Sequence, residues 1–183
     1  KLIFNNNIEK SFDRIIGCDG SSSVLRNEII NKTNAKFAKK PLGHGYKELT
    51  IPPSSNGFII QPNALHIWPR GNFMLIALPN MDKSFTCTLF MPMKGDTSFE
   101  TILTANNITS LFKTYFPDVL KLIPSLHNEF LKNPVGDLAT IYLNPWHYDE
   151  SAVLIGDAAH AIVPFFGQGM NASFQDCTIL NQL

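Results

Sequence analysis

The densest chemistry in this sequence lies in Val153-Leu-Ile-Gly-Asp-Ala-Ala-His160-Ala-Ile-Val-Pro164-Phe-Phe-Gly-Gln-Gly-Met170-Asn171. The apolar run Ala152 to Ile155 reads as a buried strand and stops at Gly156-Asp157. Open α/β sheets bind their ligands beyond the carboxyl ends of their strands, which is where this Asp falls. Gly156 lets backbone approach a ligand closely, and the Asp157 carboxylate can accept hydrogen bonds from sugar-type hydroxyls. Pro164 and then Gly167-Gln168-Gly169 precede a helix expected over Asn171 to Leu183. Glycines leave the N–H groups of a helix start uncovered, and the helix dipole favours negative charge there. An ordinary strand-loop-helix connection has the same outline. The paired glycines around Gln168 and the Asp after the strand weigh towards binding.

A second acidic turn sits near the amino end. Phe12 to Gly17 reads as a strand, followed by Cys18-Asp19-Gly20. Alone, Asp-Gly is a common turn. Beside Gly156-Asp157 it makes a pair of strand-then-Asp turns, both able to face one ligand. His160 reads as a helix-end structural residue rather than a base.

Other chemistries find little support. Gly167-Gln-Gly-Met-Asn-Ala172 matches GxGxxA in letters but follows Pro164-Phe-Phe166 instead of a strand, so the dinucleotide context is missing. The chain contains no GxGxxG and no GxxxxGK[ST]. His44, His66, His127, His147 and His160 share no HxH or HxxxH spacing, and no metal site is expected. Cys18, Cys87 and Cys177 form no CxxC and are odd in number, which favours neither zinc nor a disulfide framework and makes a reducing compartment the default. No GxSxG occurs, and no Cys has an evident base partner.

The surrounding elements must position these turns. The chain has 183 residues, 44% hydrophobic and 16% charged, with 15 basic and 15 acidic side chains. That is too apolar for disorder, lacks the basic excess of a nucleic-acid binder, and contains no run near the roughly 18 residues a membrane-spanning helix needs. Ser21, Ser22 and Ser23 offer caps to a short helix, Val24 to Ile30, and Lys36, Lys39 and Lys40 read as a solvated loop. Period-two alternation then marks Tyr46–Ile51, Phe58–Trp68 (interrupted near Pro62-Asn63), Phe73–Leu78 and Phe85–Met91, joined by turns that favour antiparallel hairpins. One face carries Leu65, Ile67, Met74, Ile76, Leu78, Thr86, Thr88 and Phe90. By pattern alone this mostly apolar wall is a sheet face packed on a core; as function it would line a pocket for a flat apolar ligand. Ile108, Leu111, Phe112 and Tyr115 have helical spacing after a cap at Asn107, with Pro117 and Pro124 dividing the region Phe99 to Lys132. A strand over about Leu138 to Leu143 follows. Outer βα pieces therefore bracket an inserted sheet, an order that predicts two layers sharing one interface. With no initiator Met and a last helix that reads as unfinished, the chain is expected to be an interior, processed or truncated piece of a longer protein.

Ile15-Ile-Gly-Cys-Asp-Gly20 with Arg26 resembles the second conserved motif of the FAD-dependent aromatic hydroxylases, and Gly156-Asp157-Ala-Ala-His160 with Pro164 and Gly167-Gln-Gly-Met-Asn171 resembles their third, flavin-contacting motif. His44–Pro53, Leu65–Arg70, Ser84–Pro92 and Val163–Asn171 are similar to the branch that hydroxylates L-kynurenine. The family's amino-terminal GxGxxG and its carboxy-terminal region have no counterpart in these residues.

The resemblance implies an α/β (α+β mixed) fold: part of an FAD-binding Rossmann-like domain (1–42 and 136–183) interleaved with an antiparallel β-sheet substrate domain (43–135). It implies FAD as cofactor and NADPH, O2 and L-kynurenine as reactants, with oxygen transferred from a flavin hydroperoxide. By the same resemblance Gly156, Asp157, Pro164, Gly167, Gly169, Met170 and Asn171 contact the flavin half of FAD, and Asp19 and Gly20 lie near its diphosphate. Leu65, Ile67, Ile76, Leu78, Phe90, Pro164 and Phe165 meet the substrate ring. It assigns no acid–base catalyst and no metal. Family members sit on the mitochondrial outer membrane in eukaryotes and in the cytoplasm in bacteria. Another aromatic substrate, or a truncated non-catalytic remnant, are the competing expectations, and the 183-residue chain is not expected to hold FAD alone.

Overall fold

A computed structural model describes residues 1–183. In chain order the elements are β1 (Leu2–Ile3), β2 (Glu9–Lys10), β3 (Ile15–Gly17), α1 (Val24–Lys32), β4 (Lys36–Ile51), β5 (His66–Arg70), β6 (Phe73–Pro79) and β7 (Phe85–Pro92). Then come α2 (Ala105–Tyr115), α3 (Leu126–Lys132), β8 (Gly136–Asn144), β9 (His147–Tyr148), β10 (Ala152–Leu154), α4 (Asp157–His160), a 3-10 turn at Pro164–Phe166 and α5 (Gly169–Leu180). The fold is mixed α/β. Its residues divide into a unit formed by Lys1–Pro41 with Ala139–Leu183 and a unit formed by Leu42–Leu138. No helix is long and apolar enough to cross a membrane.

The first unit carries both acidic turns. β3 and β10 pair in parallel, with Ile15, Ile16 and Gly17 opposite Ala152, Val153 and Leu154, and β9 closes the other edge antiparallel. Gly17 is needed for closeness here, because a Cβ on it would lie 2.6 Å from the Leu25 side chain and 2.8 Å from that of Leu154. α1 is fully capped. The Ser23 hydroxyl accepts from Arg26 N–H at 2.9 Å, and Asp19 Oδ2 accepts from Val24 N–H at 2.8 Å and Leu25 N–H at 3.2 Å. Three of the four orphan donors of the first turn are thus satisfied by side chains.

The second unit is an antiparallel sheet with helices on one face. β5, β6, β7 and residues 42–51 of β4 follow one another across it, each pair antiparallel. Phe73, Leu75 and Ala77 of β6 point into the core with Leu49, Ile51, Phe85 and Leu89, and the helices add Ile108, Phe112, Phe116 and Phe130. α2 has the expected apolar stripe, and Pro117 and Pro124 do fall between the helices. α3 is fastened to β4 by side chains. Lys47 Nζ donates to Phe130 O at 2.7 Å and Asn133 O at 2.6 Å, Thr50 N–H donates to Glu129 Oε2 at 2.7 Å, and Asn133 Nδ2 donates to Glu48 O at 2.7 Å.

Several expectations are corrected. The lysine cluster at 36–40 is solvent-exposed but extended strand, the first part of β4, with Lys40 4.9 Å from the Tyr142 ring and Phe37 5.4 Å from the Arg26 guanidinium. Of the segment Phe58–Trp68 only the part beyond the expected break near Pro62-Asn63 is strand, as β5 from His66, and before the break only a Ser54–Gly57 bridge forms. The cap of α2 is Thr104, whose hydroxyl accepts from Asn107 N–H at 3.3 Å. The apolar wall is not the face that packs on the core. Its register is as expected, with Ile67 opposite Ile76, Ile76 opposite Thr88, Leu78 opposite Thr86 and Met74 opposite Phe90. Yet Leu65, Ile67 and Leu78 are about half exposed, and the helices cover the opposite face.

Candidate functional site

The first unit contains a pocket of about 420 Å³ lined by Asp157, Ile162, Pro164, Gly167, Gly169, Met170 and Ser173. Five residues singled out in the sequence therefore share one concavity. They arrive from three successive pieces of chain: the turn after β10, the 3-10 turn, and the start of α5.

Each piece has a local cause. β10 ends because Gly156 adopts φ 60° and ψ −144°, a conformation open to glycine and costly for other residues. Its carbonyl accepts from Ala159 N–H at 2.9 Å and His160 N–H at 3.0 Å, which starts α4 with Asp157 as its exposed first residue. Pro164 opens the 3-10 turn with a φ its ring presets, and Gly167 closes it in the left-handed region at φ 62°. α5 then begins with no side-chain cap. The N–H groups of Gly169, Met170 and Asn171 have no intrahelical acceptor, and the side chain of Asn171 turns back to donate to Gln168 Oε1 at 3.0 Å.

The donor set of this cradle has the chemistry to hold an FAD-like ligand. A Cβ on Gly169 would meet nothing within 4 Å, so no protein contact demands glycine there; the space it leaves open belongs to the pocket. One wall offers a carboxylate for hydroxyls and another offers backbone donors for an electron-rich edge. Gly156 lies beneath, buried, and lines no part of the pocket.

The other acidic turn behaves differently. Asp19 and Gly20 follow β3 at the same end of the parallel pair, with Ile155 N–H donating to Gly17 O at 3.0 Å. Burial opposes the Asp19 charge, but the Ser23 hydroxyl and the N–H groups of Leu25 and Val24 outweigh it and hold the carboxyl below its usual range. That carboxylate is committed to its own helix, leaving Gly20 (φ 77°) as the open part of the turn. Arg26 joins the two turns. Its guanidinium donates to Ser21 O at 2.7 Å and to Ala158 O at 3.1 Å, and its Nε is buried without a partner. Burial lowers the Arg26 pKa and the Asp19 charge counters that.

In the second unit Ile67, Ile76, Leu78 and Phe90 lie on one face of β5, β6 and β7, with Phe90 buried beside Tyr46 at 6.4 Å between ring centroids, and the half-exposed Leu65 directly precedes β5. Phe165 is partly exposed in the 3-10 turn.

Sequence reasoning missed Asp176 and Ser173. Asp176 accepts at one oxygen from Gly156 N–H (2.7 Å) and His160 Nε2 (2.6 Å). A signal existed: among residues 158–183 Asp176 is the sole Asp, Glu, Lys or Arg.

A family model described as FAD binding domain matches residues 11–182. Kynurenine 3-monooxygenase of Dictyostelium discoideum is 51% identical over 173 residues, covering 94% of this chain and 37% of the relative. The enzyme of the same name from Sus scrofa is 48% identical over 173 residues, covering 93% and 36%. Thus the chain spans little more than a third of the length of these relatives. Among solved structures, Klebsiella pneumoniae HpxO complexed with FAD and uric acid superposes with a TM-score of 0.75 at 20% identity, covering 98% of this chain and 44% of that one. A tetrameric form of 2-methyl-3-hydroxypyridine-5-carboxylic acid oxygenase gives 0.72 at 19% identity, covering 97% and 46%. At such identities the two structures establish a shared fold.

Proposed function

The chain belongs to the FAD binding domain family, and from that membership we propose that the protein carrying it hydroxylates L-kynurenine to 3-hydroxykynurenine, using FAD, NADPH and O2. The observation that supports this most is the identity of 51% to a kynurenine 3-monooxygenase across 94% of the chain. Bound FAD would supply the redox chemistry, taking electrons from NADPH and delivering oxygen to the aromatic ring.

The chain's own residues bind, orient and exclude water. Asp157 would accept hydrogen bonds from ribityl hydroxyls. The free N–H groups of Gly169, Met170 and Asn171 would meet the flavin's pyrimidine edge, where negative charge builds on reduction and a helix start stabilises it. Gly20 and, through α1, Asp19 would shape the side that takes the diphosphate. In the second unit Leu65, Ile67, Ile76, Leu78 and Phe90 would supply an apolar surface for the substrate ring and keep water from the reacting oxygen; in the first, Pro164 and Phe165 would stand beside the flavin. No step here needs a protein acid or base, because the substrate's own amino group activates its ring.

The test is NADPH oxidation by the complete, FAD-loaded protein with kynurenine and with other aromatic acids and amines. Kynurenine should stimulate oxidation and yield 3-hydroxykynurenine. If a different aromatic is the one that stimulates, the substrate assignment falls and the flavin hydroxylase reading stands; if none does, both fall.

A further inference from the structure

The polar cluster behind the pocket carries an inference about how the cofactor turn is held. Asp176 lies in the middle of α5, two turns from the helix start that lines the pocket, and is mostly buried. Its Oδ2 accepts two hydrogen bonds, from Gly156 N–H at 2.7 Å and from His160 Nε2 at 2.6 Å. Those donors are the residue before Asp157 and the last residue of α4, so one oxygen grips both ends of the turn that carries Asp157. Ser173, one turn earlier on the same face of α5, closes on the same place: a Cβ on Gly156 would lie 2.9 Å from its Oγ. The Ser173 hydroxyl in turn donates to Gly169 O at 2.9 Å. Behind His160 stands the Trp146 ring, 4.8 Å away between centroids, itself anchored by Nε1 donating to Leu143 O at 2.7 Å. A carboxylate this buried is costly unless bonded, and both bonds it makes go to the Asp157 turn.

We propose that Asp176 is a positioning residue for the cofactor: through Gly156 N–H and His160 it fixes the distance between Asp157 and the start of α5, and so sets how tightly both can hold FAD at once. This rests on the reading of Asp157 as an FAD ligand. It makes His160 a strut of the site and gives α5 two tasks, donating at its start and bracing at its middle.

The experiment is a double-mutant cycle on the complete protein that carries this chain, reading the FAD dissociation constant by flavin fluorescence quenching, the visible circular dichroism of bound flavin, and the thermal midpoint. Asp176→Ala should weaken FAD at least tenfold and change the flavin dichroism. Asp176→Asn, which keeps an oxygen for Gly156 N–H, should stay within threefold of wild type. In an Asp157→Ala background, adding Asp176→Ala should cost less than threefold more, because the contact it positions is already gone. A residue that only stabilises the fold would lower the thermal midpoint and multiply its FAD loss unchanged in both backgrounds, which overturns the proposal. Wild-type affinity in Asp176→Ala overturns it as well. If Asp176→Ala does not fold, Asp176→Glu carries the same test, since it keeps the charge and displaces it by a methylene: weakened FAD at an unchanged midpoint supports positioning, and wild-type affinity refutes it. Failure of the unmodified protein to bind FAD removes the functional reading and this inference with it, whereas additive losses in a protein that does bind FAD remove only the inference.

Discussion

Gly156→Ala tests whether the turn below the pocket is held by backbone conformation or by packing. Two costs are readable from the structure. The first is conformational: φ 60° with ψ −144° is a region where a residue with a Cβ is strained by about 1–3 kcal/mol. The second is steric: the new Cβ would lie 2.9 Å from Ser173 Oγ and 3.4 Å from Ser173 Cβ. That hydroxyl can rotate away, at the loss of its 2.9 Å bond to Gly169 O, about 1 kcal/mol. Together they predict a loss of about 2–4 kcal/mol, tolerable against a typical stability of about 5–15 kcal/mol. The assay is urea unfolding followed by Trp146 fluorescence in a Trp68→Phe background, so that the indole 4.8 Å from His160 reports on this unit. Ser173→Ala removes the closest clashing atom and should restore about 1 kcal/mol and no more. Stability within about 0.5 kcal/mol of the parent would refute the reasoning outright. Full restoration by Ser173→Ala would show that packing, not backbone strain, reserves the position for glycine.

Asp19→Asn should remove the anionic acceptor at the start of α1 and cost about 0.5–1 kcal/mol at neutral pH, the usual scale for an exposed helix cap. Because hydrogen bonding holds the Asp19 carboxyl below its ordinary 3.8, its contribution is complete above that value and disappears as pH falls through the lowered one. The gap in unfolding free energy between the two proteins should therefore close below about pH 4, and a gap independent of pH would contradict the account. Cys87 is buried, with its thiol pushed up to about 12, while Cys18 and Cys177 are exposed. A disulfide reagent at neutral pH should label two thiols in the native chain and the third only after unfolding; three fast thiols would place Cys87 wrongly.

Much of the site was legible because its causes are local. Gly156, Pro164 and Gly167 announce their turns through backbone conformations that few other residues adopt cheaply, and an Asp directly after a strand stands at the sheet edge whatever the rest of the fold does. The stripe on α2 and the prolines behind it likewise need only helical geometry. What escaped was decided over distance. Period-two alternation in β5 to β7 shows that two faces exist, but both are apolar, so only the helices packed on Leu75 and Phe85 decide that Leu65, Ile67 and Leu78 stay half exposed.

Asp19 reads as one half of an open Asp-Gly turn until α1 folds back to place two N–H groups on its carboxylate. Lys36 to Lys40 reads as a solvated loop and is solvated, but as strand, which only pairing with a distant segment decides. Asp176 shows how the two kinds of information meet. Composition marks it as the sole formal charge after Asp157, yet no periodicity says where it points. The amino-acid sequence by itself determined which residues make the strand ends, glycine turns and capped helices, because those follow from dihedral preference and hydrogen bonding over a few neighbours. The tertiary structure alone decided which face is covered, which carboxylate is committed and which is open, and that Asp176 braces Gly156 from 20 residues away. Burial and long-range hydrogen bonds exist only once distant segments have met.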